Sequence, residues 1–378
     1  MDSFTDSDDE LRGSLRSWAA GKPLGAVTDE DNLEREAVFL ARRLGQDDFM
    51  AYAVPRSYGG IRETVQARDL CVIREELAYF AALADVMFGV QALAIQPIII
   101  AGTEAQKKKY LPPLARAEMI GAFALTEPEA GSDASAISLR AKKVTAGYSL
   151  TGSKRFISNA GIAHTYIVFA STNPSVKAKG ISAFIVEADS TGFTVTEKTR
   201  LLSPHPIGVL GFNDVFVPHD RLLGTEGSGL NTALQTLDIL RCTVGASAVG
   251  FGRRALAEAV AYARGRHQFG RPIAEFQGIQ FKLAEIAAEL EASRLLVYQA
   301  AAAHDRKEPD SGIKSSIAKL FATEAAQRIV DQSLQIHGGT GVVVGHIMER
   351  LYRDVRALRI YEGTSEIQKL LIARELLK

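Results

Sequence analysis

The sequence predicts a multidomain α+β fold: an N-terminal all-α domain, a middle antiparallel β-domain or small barrel, and a C-terminal four-helix bundle. Two observations carry this. Apolar residues recur at helical spacing toward both ends of the chain, and between them the pattern changes to short β-rich runs broken by Gly, Asn, Pro and Ser. In addition, 378 residues exceed what one ordinary core holds, so two or three packed units are expected. The composition shifts place the boundaries at residues 1–120, 121–228 and 229–378.

The first region is helical because LEREAVFLARRL and ARDLCVIREELAYFAAL, between Leu33 and Ala117, keep a helix period, interrupted by the turn-like PRSYGG. TEAQKKKYLPPL reads as a short Thr-capped helix with a solvated lysine face, ending where Pro112 forbids continuation. The middle region, from Gly121 to about Gly224, offers the strands GAFAL, YSLTGSKRFIS, YIVFAS, ISAFIVEA, FTVTEK and DVFVP. No long helical stretches separate them, which argues against a βαβ parallel sheet. Four helices then follow with short joins, over Leu240 to Arg266, Phe276 to His304, Ile313 to Ile336 and Ser365 to Leu377.

Composition narrows the function. Lysine plus arginine equals aspartate plus glutamate at 44 each, so no overall positive field exists to hold a nucleic acid backbone or an anionic membrane. Apolar residues make up 47% of the chain without an uninterrupted stretch of membrane-spanning length, and a soluble globular chain is expected. Cys71 and Cys242 lie far apart without metal-ligand spacing, which argues for a reducing compartment and buried, structural thiols rather than a metal site. The acidic opening MDSFTDSDDE has no apolar or basic leader pattern, so a cytoplasmic location is expected. GTEGSG and GGTGVVVG lack the GxGxxG spacing, and neither a P-loop, GxSxG nor HExxH occurs.

Three segments remain. In Phe123 to Asp133, Pro128 and Gly131 fix a turn whose Thr126, Ser132 and backbone N–H groups suit either a plain capped turn or the rim of a phosphate-bearing cofactor. In Gly152 to Gly161, period-2 geometry puts Phe156 and Ser158 on one face, a core Phe beside a turn Ser or a ring and hydroxyl against a planar ligand. In Tyr361 to Gln368, Glu362 precedes the last helix, with Ser365 expected as N-cap and Gln368 closing the capping box. Gly363 frees the backbone there, and a carboxylate beside Ile360 and Tyr361 is either a partly desolvated base or a group answering the helix dipole.

TEPEAGSD, KRFISNAG, RHQFGRPIAEFQ, QIHGGTG and YRDVRALRIYEGTSEIQKLLIAREL together resemble the signature blocks of the acyl-CoA dehydrogenase family, and the resemblance runs from about residue 30 to the end. It implies FAD as cofactor, an acyl-CoA substrate and removal of the α-proton and β-hydride to give the trans-2-enoyl thioester. By the same resemblance Phe123, Leu125, Thr126, Gly131 and Ser132 line the flavin and its pyrophosphate. Phe156, Ile157 and Ser158 lie at the flavin ring, where many members carry Trp and Thr in place of the first and last. Arg266, Gln268, Phe269, Gln277, Gln335, Gly338 and Gly339 match the residues that hold the adenine half in a neighbouring subunit, and Thr364 and Glu366 complete the cofactor set. An obligate homo-oligomer, commonly a tetramer, is implied.

The resemblance makes Glu362 the catalytic base. Some members place it in the first bundle helix immediately before an arginine, and here that residue is Leu240, before Arg241. Ser132, Asp238, Arg241, Tyr361 and Gly363 match substrate contacts. The Glu362 N–H and a ribityl hydroxyl would donate to the thioester oxygen, and an electron-transfer flavoprotein would take the electrons. Two departures bear on the acyl pocket: VQALAIQPIIIAG is shorter than in medium-chain members, and SPHPIGVLGF replaces a polar run, with His205 read as a surface loop histidine. An acyl-CoA oxidase, a monooxygenase on the same scaffold, and a dehydrogenase of acyl-carrier-protein thioesters are the alternatives.

Overall fold

The computed structural model describes residues 5–20 and 32–378, so the first four residues of the acidic opening segment lie outside the described range. The chain divides into two compact units, each with its own core.

The first unit contains α1 (Asp6–Ala20), α3 (Ala67–Phe80) and the chain from Ile239 to Lys378. That last stretch carries most of α6 (Gly229–Gly265), then α7 (Gln277–Asp305), α8 (Ser311–His337), α9 (Ile347–Arg356) and α10 (Ser365–Leu376). Helix α1 is absent from the sequence-based expectation because its inward stripe is part charged: Asp8 and Arg12 are buried along with Leu11, Leu15 and Ala19. Arg12 pairs with Glu75 and Glu76 at 3.1 and 3.0 Å and donates to the Tyr298 hydroxyl, so its burial is matched by partners. Helix α9 was likewise unexpected; only Met348, Leu351 and Val355 anchor it. Helix α6 begins at Gly229 rather than Leu240. Thr232 and Thr236 hide their hydroxyls on carbonyls one turn back (3.2 and 2.9 Å), which lets polar residues line a buried helix.

The second unit holds α2 (Leu33–Gln46), most of α4 (Ala82–Ala101), α5 (Glu104–Ala115) and the sheet. Thr103 caps α5 as expected: its side chain accepts from Gln106 N, and Gln106 Oε1 accepts from Thr103 N. The helix does not stop at Pro112, however, but continues through Pro113 to Ala115. Proline keeps helical φ, so the helix can run on, at the loss of the two N–H donors that Pro112 and Pro113 lack. Helix α4 is apolar and long enough to cross a membrane by length and composition, and most of it is buried in the fold.

The strands are β1 (Gly121–Ala124), β2 (Arg140–Val144), β3 (Gly147–Ser158), β4 (Thr165–Ser171), β5 (Ile181–Glu187), β6 (Phe193–Lys198), β7 (Ile207–Pro218) and β8 (Leu222–Leu223). They run in the order β6-β7-β3-β2-β4-β5-β8, with β1 beside β4. The sheet is mixed rather than purely antiparallel: β1 pairs in parallel with β4, and β2 meets β4 in parallel at Arg140 and Ser171. Alternation within a strand fixes which face is inward but not the direction of its neighbour, and the β2–β3 hairpin between β1 and β4 brings the chain back in the same sense. Strand β2 escaped the sequence reading because Ala141 is its one fully inward residue.

Candidate active site

The corner before α10 belongs to the first unit. After α9 a 3-10 turn, Ala357–Arg359, leads into Ile360 and Tyr361, and the backbone then turns left-handed at two successive residues, Glu362 (φ 53°) and Gly363 (φ 89°). Glycine adopts this conformation freely, whereas a glutamate there carries strain on the order of 1–2 kcal/mol and persists only if its surroundings fix it. They do. Lys319 Nζ, on α8, donates to the Gly363 carbonyl at 2.6 Å, and Gln368 Nε2 donates to the same carbonyl at 3.0 Å and to that of Glu362 at 3.4 Å. The helix cap is Thr364, whose side chain accepts from Ile367 N; the expected Ser365 cap is one residue late. Ser365 instead donates to Glu324, and Gln368, expected to close a capping box, is the brace of the corner.

Glu362 is partly accessible by area, yet its carboxylate Oε2 is buried without a hydrogen-bond partner. Burial raises its pKa; Arg74, Lys319 and Arg241 pull it back down, and Asp85 adds to the rise. Arg74, on α3, is itself buried and forks onto both oxygens of Asp85 at 2.8 and 3.0 Å. Its remaining arm reaches Thr243 Oγ1 at 3.1 Å, while Ser247 donates to both Asp85 oxygens. Burial likewise holds the neighbouring Tyr361 phenol protonated far above neutral pH. Arg241 is buried on α6 with Leu240 sealed in the core beside it, and Asp238 sits half-exposed one turn earlier on the same helix. Thr364 is consumed by the cap, and Glu366 is exposed on the first turn of α10.

The predicted flavin-side residues lie in the second unit. Beyond β1, the Glu127 carboxylate accepts from Ser138 N (2.6 Å), Ser138 Oγ (2.9 Å) and Leu139 N (3.0 Å), and pairs with fully buried Lys154 at 2.8 Å. Lys154 also donates to the Leu125 carbonyl at 2.9 Å; burial pushes its pKa down to about 8 against the pull of Glu127. This buried pair fixes the turn from within and leaves Thr126 half-exposed and Gly131 and Ser132 exposed, with open space where a Gly131 Cβ would stand. Leu125 and the Phe123 ring, 4.9 Å from Phe169, pack toward the core.

Phe156 and Ser158 are both accessible while Lys154 and Ile157 are buried, but regular alternation is not the cause. The register against β7 slips between Lys154 and Ile157, and Phe156 sits at φ 55° with its ring half-exposed under the Arg155 guanidinium. His205 is no surface histidine: it is half-buried, its Nε2 lies 3.0 Å from Ser158 Oγ, and burial lowers its pKa. An exposed aromatic ring, hydroxyls at Thr126, Ser132 and Ser158, and open space at Gly131 fit the planar, phosphate-bearing group that the resemblance implies.

The residues predicted to hold the adenine half belong to the first unit, where Tyr262 of α6 packs on His337 of α8 with ring centroids 4.4 Å apart. Arg266, Gln268, Gln277, Gln335, Gly338 and Gly339 are all exposed. Phe269 tips a hairpin formed by β9 (His267–Gln268) and β10 (Arg271–Pro272), at φ 52° and 93% exposed. Sequence reasoning missed Arg74, Asp85, Lys154 and Lys319. The available signal was a charge on an apolar face, as with Lys319 between the buried Ser315 and Thr323 of α8.

Comparison with known proteins gives three family-model matches covering nearly the whole chain. They are the N-terminal domain of acyl-CoA dehydrogenase over residues 5–118, its middle domain over 122–215 and its C-terminal domain over 227–377. An acyl-CoA dehydrogenase of Bacillus subtilis is 43% identical over 370 residues, 97% of each protein. The caffeyl-CoA reductase-Etf complex subunit CarC of Acetobacterium woodii is 36% identical over 386 residues, 99% of each. Among solved structures, butyryl-CoA dehydrogenase from Megasphaera elsdenii superimposes with a TM-score of 0.93 at 36% identity, covering 99% of both chains.

Proposed function

The chain belongs to the acyl-CoA dehydrogenase family, and we propose that it oxidises an acyl-CoA between Cα and Cβ with Glu362 as the base that takes the α-proton. The observation that carries this is the buried, unpartnered Oε2 of Glu362 at a left-handed corner held from two helices.

A proton α to a thioester is weakly acidic, so the residue that removes it must be a stronger base than a solvated carboxylate, and the charge left behind must meet a donor. Desolvation supplies the first condition, while Arg74, Lys319 and Arg241 keep the ionised form accessible. For the second, no acceptor among the described residues takes the Glu362 N–H, which supports its use as a donor to the thioester oxygen. Bound FAD supplies the acceptor for the β-hydride; Thr126, Ser132, Phe156 and Ser158 are the residues of the second unit that would hold it. Leu240 is apolar and buried where the alternative base would stand, which favours Glu362.

Glu362→Gln is expected to retain FAD and bind butyryl-CoA, while anaerobic flavin reduction slows by roughly 10³-fold. Bleaching near the wild-type rate would remove Glu362 as the base. The likeness to an Etf-complex subunit supports an electron-transfer flavoprotein as acceptor. The exposed Phe269 hairpin and the exposed Val342, Val343 and Val344 support assembly of several copies, for which we propose a homotetramer.

A further inference from the structure

Lys319 lies on the inward face of α8, fully buried, and its hydrogen-bond partner is a neutral carbonyl, that of Gly363. A lysine in such a place ordinarily has a carboxylate directly against it, as Lys154 has in Glu127. Here the nearby acid is Glu362, one residue before that carbonyl, whose Oε2 is buried and unpartnered. We propose that Lys319 is a positioning residue for the proposed base: it clamps the left-handed corner through the Gly363 carbonyl and supplies a buried positive charge against which Glu362 ionises. The inference rests on the functional reading above.

The charged and titratable groups around Glu362 come from several elements. Arg74 on α3 and Arg241 on α6 favour its ionised form, as Lys319 does from α8, and Asp85 opposes it. Tyr361 precedes it on the same corner and stays protonated. Glu362 is the largest of the influences holding the Lys319 proton, with Glu324 and Glu366 adding to it and Arg241 opposing; burial outweighs them and brings Lys319 down to about 8. Arg74 is already engaged by both Asp85 oxygens, so its field at Glu362 is partly cancelled. Arg74 still exerts the larger pull on Glu362, and Lys319 comes next. No carboxylate forms an ion pair with Lys319 among the described residues, so Lys319 is the counter-charge that can be removed without leaving a buried acid such as Asp85 unpaired.

The test uses the FAD-loaded enzyme with Lys319→Met and Lys319→Arg. Two quantities are followed against pH: the rate of flavin reduction by butyryl-CoA, and the infrared band of the protonated Glu362 carboxyl, identified as the band lost in Glu362→Gln. In Lys319→Met both the acid limb of the rate and the carboxyl titration should move upward together by about one pH unit, a roughly tenfold change in protonation constant. Lys319→Arg, which keeps the charge but cannot repeat the 2.6 Å contact with the same geometry, should leave the titration near wild type and slow the limiting reduction rate about tenfold. A Met variant whose limb and band both stay at wild-type pH overturns the proposal. So does failure of both variants to fold while Glu362→Gln folds, since Lys319 would then be a core residue only. The infrared titration needs no substrate: a wild-type enzyme that no acyl-CoA of a panel of chain lengths bleaches removes the functional reading, and the band still decides the role of Lys319.

Discussion

Arg74 and Asp85 illustrate how far a residue's role depends on what folding brings to it. Both are buried, and each satisfies the other through two hydrogen bonds, with Thr243 and Ser247 closing the network. Arg74→Met leaves the Asp85 charge without its partner and should destabilise the fold by about 3–5 kcal/mol, whereas Arg74→Met with Asp85→Leu should recover most of that loss. Urea unfolding of the two variants checks both halves of the prediction. Recovery of stability should not restore the base, because Arg74 also lowers the Glu362 pKa: in the double variant the acid limb of flavin reduction should lie above that of the wild type. The corner at Glu362 was legible in the sequence because Gly363 marks a turn, while the reading of Glu362 as the base came from the resemblance. Arg74, Asp85 and Lys319 were not, since a charge in a helical repeat reads as solvated surface until distant segments bury it.

At the scale of elements, local chemistry was readable and long-range pairing was not. The Thr103 box follows from four consecutive residues, and so does the turn at Gly363. The start of α3 follows from nothing nearby: its first N–H groups, Ala67 and Arg68, are capped at 2.6 and 3.1 Å by the Asp305 carboxylate, which closes α7. Burial raises that carboxyl to about 6, and the two N–H contacts pull it down. A folded pKa above the unfolded value of 3.8 means the stabilising contribution is fully present below about pH 4 and is lost as the pH rises through about 6. Asp305→Asn keeps an oxygen for the cap but does not titrate. Relative to that variant, wild-type stability should fall by on the order of 2 kcal/mol between about pH 4 and about pH 7, and level off above. Unfolding midpoints at several pH values for both proteins measure this, and a constant difference would exclude Asp305 as the titrating cap.

At the scale of the whole molecule, the described residues leave one large aromatic almost fully bare. Phe269 stands 93% exposed at the tip of a hairpin whose backbone is left-handed at Phe269 and at Gly270, and Arg266 is exposed at its base. The two-residue loop between Gln268 and Arg271 itself calls for positive φ at both positions, and it leaves the Phe269 ring facing outward with an edge-on approach to Phe276 at 6.1 Å, an apolar group available to a second copy. The net charge of zero adds no repulsion between copies to oppose association. The sequence resemblance assigns both residues to the adenine end of FAD in a neighbouring subunit, and on the proposed function assembly and cofactor retention should therefore fail together. Phe269→Ala is expected to lower the oligomer population in gel filtration and the flavin-to-protein ratio of the eluted peak in parallel. Arg266→Ala should reduce flavin content more than assembly, because a guanidinium contributes to phosphate or base recognition while the apolar contact remains. In both variants added FAD should shift the profile back toward the oligomer, since a ligand that binds only the assembled form stabilises it by mass action. Full flavin content in a Phe269→Ala monomer would separate the two properties and place the whole cofactor site within one chain.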